Sequence, residues 1–181
     1  MEGQESTFAQ RLLGALKLDA LTYHEIGVDP EASKQAAVVF VAVATITAGT
    51  DAIAENRKLV EIALGLLSWP LGVLELAWIW AVGVRIYPKP DPPPRFVPLL
   101  RVMAFAMTPL VFSPLVLVPE METVFSFVIG LWALACAAVA LRVVFGYESV
   151  WDAVGLYVVA VGVIFVPAIV VIFAVFFLLS P

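Results

Sequence analysis

Three charged side chains stand inside long apolar runs: Glu75 in GVLELAWIWAV, Arg101 in LLRVMAFAMTP and Arg142 in VALRVVFG. An ionised group left alone in hydrocarbon costs about 2.5–3.5 kcal/mol on insertion scales, so each needs a partner or an exit to water. A carboxylate facing guanidinium groups at low dielectric has three uses. It can fix helix register as an ion pair, handle a proton or substrate, or leave the arginines to bind a lipid headgroup. Counting inward from the basic residues at one end, Glu75 precedes Arg85 by ten residues, about 15 Å of helical rise. Arg101 follows Arg95 by six residues, about 9 Å. The difference of roughly 6 Å is within reach of an arginine side chain. Glu75 is therefore predicted to be the counter-ion of Arg101, with Arg142 entering the same half of the bundle and sharing it.

Other reactive residue types are sparse. The single histidine, His24, adjoins Glu25 in TYHEIGVD, a surface pairing more common than a base with its orienting acid. The single cysteine, Cys136, lies in WALACAAVAL beside Ala133, Ala137 and Ala140, a small-residue face suited to close helix packing. One Cys excludes an internal disulfide and a Cys2His2 metal site. No GxSxG, HExxH, Walker-type or CxxC sequence is present, so neither an enzyme nor a cofactor is expected.

The elements that must position these charges follow from composition. Of 181 residues, 62% are hydrophobic and only 14% charged, with a mean hydropathy of +1.02. Soluble domains average about 45–50% apolar and about 25% charged, so the chain reads as an all-α integral membrane protein. Its net charge of −5 and the lack of a basic stripe argue against nucleic acid. Five apolar runs, about 35–55, 61–86, 97–118, 122–145 and 151–179, are each near the roughly 20 residues a spanning helix needs. With the N-terminus inside, eight of the ten basic residues fall on the cytoplasmic side and only Arg57 and Lys58 opposite, which predicts a cytoplasmic N-terminus and an outer C-terminus. The first 34 residues lack the apolar core of a secretory signal, so the first run is expected to act as the insertion signal.

Residues 1–34 form a cytoplasmic segment ahead of the five-helix domain, 35–181. Within it, FAQRLLGALKLDAL places Phe8, Leu12, Leu13, Leu16 and Ala20 on one helical face, with Arg11 and Lys17 elsewhere on the wheel. One amphipathic helix along the membrane surface or the bundle rim is expected, Leu12 sheltered and Arg11 exposed. Asp29-Pro30-Glu31 supplies a cap and an acidic first turn for the first span. YPKPDPPPRFVP, 87–98, is a stiff proline-rich connector or a ligand for a proline-recognising domain. Interior prolines mark Pro70, Pro109 and Pro114 as predicted helix breaks, with Thr108 and Ser113 placed to re-satisfy freed carbonyls.

Taken together, GALKLDALTYHEIGVDPEASKQA, LLRVMAFAMTPLVF and LWALACAAVALRVVFGYESVWDAVGL resemble the Yip1 family of five-span membrane proteins, in its bacterial branch. The resemblance implies a five-helix bundle with a cytoplasmic N-terminus. Eukaryotic relatives are linked to trafficking and small-GTPase partners, whereas bacterial members mostly lack an assigned activity. Expected partners are membrane lipids and a membrane protein, either a larger complex that the chain serves as an accessory subunit or further copies of itself. The alternative is a small transporter or channel built on the broken third span and the intramembrane charges.

Overall fold

The computed structural model describes residues 6–55, 59–87 and 93–163. Regular structure among the described residues is helical throughout: α1 (Phe8–Leu16), α2 (Ala20–Val28), α3 (Ala32–Ala54), α4 (Leu59–Arg85), α5 (Phe96–Ala106), a 3₁₀ segment (Thr108–Leu117), α6 (Glu122–Phe145) and α7 (Val150–Val163). Among the described residues, three helices are long and apolar enough to cross a membrane: α3, α5 continued through the 3₁₀ segment, and α6. The expected fifth span extends past α7, and Pro167 and the remainder of that run lie outside the described residues. So do Arg57 and Lys58 and the centre of the proline-rich connector.

The N-terminal segment differs from the single amphipathic helix expected. Thr7 and Gln10 form a reciprocal capping box that starts α1, and the chain then turns at Leu18, whose φ of 59° is left-handed. Asp19 restarts it, its carboxylate accepting from the Leu21 N–H at 3.1 Å and the Thr22 hydroxyl at 2.7 Å. A hairpin of two short helices results. Gly14 permits its tight crossing, since a Cβ there would run into Thr22.

This hairpin is packed into the bundle. The last carbonyls of α1, which no intrahelical donor can reach, are taken up by the Tyr23 hydroxyl (to Ala15, 3.0 Å) and the Trp132 indole (to Leu16, 2.9 Å). The Cys136 thiol approaches the Ala15 carbonyl at 3.5 Å, so Cys136 adds a polar contact to its packing role. Asp29 accepts from the Glu31 N–H at 2.9 Å, and α3 proper begins at Ala32.

The apolar segment Phe96–Leu117 changes character midway. Pro109 has no N–H for the Phe105 carbonyl, and the Thr108 hydroxyl donates to that oxygen instead, at 2.5 Å. From Thr108 onward the chain winds as 3₁₀ helix with Pro114 inside it. Ser113 pairs across with Thr50 of α3 at 3.2 Å rather than with its own helix. Pro70 behaves otherwise: α4 continues through it, so the expected break is absent. One lost hydrogen bond inside a 27-residue helix leaves the flanking turns intact. α6 ends on Gly146, whose φ of 67° lets the Gly146 and Tyr147 N–H groups close the last turn onto Val143 and Arg142.

Two apolar clusters hold these helices together. The first joins the hairpin to α3, α5 and α6 through Tyr23, Ile26, Val43, Val102, Phe105 and Cys136. The second joins α4, α5, α6 and α7 through Leu76, Val82, Leu99, Phe145 and Leu156. Their partition leaves α5 with one side toward the hairpin and another toward α4.

Candidate functional site

At the hairpin end of the bundle, Arg11 is 4% exposed, the reverse of its expected position on the wet face of α1. Its Nη2 donates to Glu25 at 2.9 Å and to Asp29 at 2.7 Å, and its Nη1 donates to the Gln35 side chain at 3.0 Å. Glu25 and Asp29 stand four residues apart around α2 and its cap, so both reach one cation. The Ser6 hydroxyl closes the set on Glu25 at 2.6 Å. Burial would push both carboxyls up, but the hydrogen bonds and positive charge around them outweigh it. Glu25 is held below the usual range by Ser6 and Arg11, and Asp29 by Arg11, the Glu31 N–H and the nearby charge of Arg101. Arg11 itself is raised: the same two carboxylates outweigh its desolvation.

Arg101 faces this rim from α5 but is bonded differently. Its Nε donates to the Ser33 hydroxyl oxygen at 2.8 Å and its Nη1 to the Gly27 carbonyl at 3.1 Å. No carboxylate lies within ion-pair distance of it among the described residues. It stands at one end of a groove of about 270 Å³ between α3, α4 and α5, whose walls are apolar: Ala36 and Phe40 on one side, Gly72 and Leu76 on another, Met103 and Met107 beneath.

Glu75, Arg101 and Arg142 form no ion pair with one another among the described residues, contrary to the prediction. Glu75 is exposed on α4, near Tyr157 of α7. Arg142 donates from Nε to the Tyr147 carbonyl at 3.3 Å, just beyond the end of its own helix. Helical rise gives positions along each axis but not directions around it. α5 packs against α2 and α3 through Arg101's face, which turns the guanidinium away from Glu75. His24 is exposed. The described residues contain no cluster of metal-ligating side chains.

Sequence reasoning missed the rim network because Arg11 was assigned by the leucines around it. The available signal was the i, i+4 spacing of Glu25 and Asp29, which presents two carboxylates to one partner. Compared with known proteins, the chain matches no family model, no curated protein and no solved structure.

Proposed function

We propose that the chain is a five-span, non-catalytic protein of the cytoplasmic membrane, N-terminus inside, that works through contacts with lipids and other membrane proteins. The observation that carries this reading is the apolar surface of the long helices. Val41 is 61% exposed, Leu74 66% and Phe127 70%, with further leucines and valines beside each. Exposed apolar area on this scale is unstable in water and ordinary in lipid. The resemblance to the bacterial Yip1 branch supports the same architecture, and the docked hairpin provides a rigid face for a partner protein at the inner surface.

The tests are direct. The protein should stay in membranes through an alkaline wash, and reporters fused after Pro93 and after Pro181 should read opposite sides. Release by the wash, or the same side for both fusions, overturns the reading. Purification from native membranes in mild detergent should bring a membrane protein with it; a lone chain in every fraction would remove the accessory-subunit version.

A transport reading draws support from the 3₁₀ segment, because runs of 3₁₀ beyond about 3–4 residues are uncommon and often mark hinges, and this one has ten. It predicts water beside Thr50 and Ser113. A cysteine at Ser113 that is inert to membrane-impermeant thiol reagents would discard it.

A further inference from the structure

Arg101 has donors to spare. Its Nε and one Nη1 hydrogen are used, while Nη2 has no hydrogen-bond partner among the described residues. Ser33 accepts from Arg101, and its own hydroxyl proton likewise finds no acceptor among them. Asp29, whose carboxylate senses the charge of Arg101, is engaged by Arg11 and by the Glu31 N–H. Lys34 is paired with Glu31. The unused polar groups at this end of the groove are thus donors.

The beginning of α5 adds to this. Arg95 is its N-cap, no side chain caps it, and its first turn holds no acidic residue. Val97 of that turn lines the groove. That end lies about 9 Å of helical rise from Arg101, and Pro98 removes one of its N–H groups, so it adds a positive background field to a site set by Arg101 and Ser33. Below Arg101 the groove offers only apolar wall for about 9 Å of helical rise, down to Met107. An occupant with acceptor oxygens at one end and hydrocarbon at the other matches both parts.

We infer that the α3–α4–α5 groove binds an anionic phospholipid, its phosphate on Arg101 Nη2 and the Ser33 hydroxyl and one acyl chain along Phe40, Leu76 and Met103. Arginine suits phosphate because its planar donors contact two oxygens at once. The groove volume of about 270 Å³ accommodates part of one chain, the rest lying in the bilayer. This inference rests on the membrane reading above, and its failure is separable. A chain washed off membranes defeats both, whereas a membrane-embedded chain without headgroup preference defeats only this one.

The test uses the full-length protein in detergent with added phosphatidylglycerol or phosphatidylcholine, retained lipid being measured by native mass spectrometry. Wild type should retain phosphatidylglycerol preferentially. Arg101→Gln should lower phosphatidylglycerol retention about tenfold, the factor for one charge-assisted hydrogen bond of about 1.5 kcal/mol, and so erase most of the preference. Arg101→Lys should restore part of it. Arg142→Gln, at a residue outside the groove, should change nothing. Should Arg101→Gln fail to fold, Gly72→Leu decides. Open space surrounds a Cβ at Gly72, so leucine there fills the groove without touching the polar groups, and both lipids should be lost from the site. An undiminished preference in Arg101→Gln, or wild-type binding in Gly72→Leu, overturns the proposal. Displacement of the lipid by inorganic phosphate would do so too, assigning the site to a free anion.

Discussion

Arg11 and Arg101 belong to neighbouring regions of one end of the bundle and are treated in opposite ways. In the rim, the hairpin brings two carboxylates to Arg11 and α3 adds the Gln35 amide, while Ser6 holds Glu25 in place, until the charge is answered within the protein. In the groove, Arg101 receives only two neutral acceptors, and its remaining donors face an apolar channel. The first arrangement holds elements together. The second leaves capacity for something outside the chain. A buried arginine is therefore not informative by its presence; what separates structure from binding is whether its donors are used up.

This contrast predicts a ranking of effects. Arg11→Met should be the most damaging change, since it leaves Glu25 and Asp29 in place without their counter-charge. Breaking a buried pair costs about 3–5 kcal/mol, and the partial exposure of both carboxylates puts the expected loss near about 3 kcal/mol. Thermal unfolding in detergent measures it, and a wild-type midpoint would erase the distinction between the two arginines. Adding Glu25→Gln and Asp29→Asn should recover part of the loss, because no orphaned charge then remains.

Gly14→Ala comes next, at about 1–3 kcal/mol for overpacking, because the added methyl meets Thr22. Thr22→Ala in the same chain should relieve it. Relief would show that the hairpin crossing, rather than helix propensity, sets the requirement for glycine.

Arg101→Gln should cost about 1.5 kcal/mol, the lower end for bonds from a charged donor, because both acceptors are neutral and no carboxylate is orphaned. A loss equal to that of Arg11→Met would mean that Arg101 is structural and would blur the comparison.

Acid sharpens it further. Glu25 and Asp29 are both depressed in the folded chain, so their stabilisation is complete at neutral pH. It declines as pH falls through the unfolded carboxylate range near about 4 and is lost below their folded values. Arg11→Met should flatten that part of the stability curve, and Arg101→Gln should leave most of it.

Glu75→Gln should have the smallest effect. Since Glu75 and Arg101 do not touch, the double mutant with Arg101→Gln should be additive within about 0.5 kcal/mol. Coupling beyond that would restore the ion pair that the structure separates.

The reach of the sequence is visible in particular elements. Glu122–Phe145 was legible end to end, because an acidic first turn, an unbroken apolar run and a glycine stop are local signals. An interruption near Pro109 and a carbonyl for Thr108 to take up were legible, since both depend on the missing proline N–H, but the 3₁₀ winding that follows was not. Leu18 was opaque: a leucine in a left-handed turn has no sequence signature, so the expected helix over 8–21 ran through the turn, and most of α2 was not read.

The sequence by itself determined that this is an apolar, helical, membrane-type chain, where most of its helices start and stop, and how deep each charge lies along its helix. Those properties follow from composition, caps and a fixed rise per residue. Only the tertiary structure decided which way each charge faces. Rotation about a helix axis is set by the packing of Val102 and Phe105 against the hairpin and of Leu99 against the second cluster. The docked hairpin gave Arg11 its two carboxylates, and the packing of α5 left Arg101 at the head of a groove with hydrogen bonds still to make.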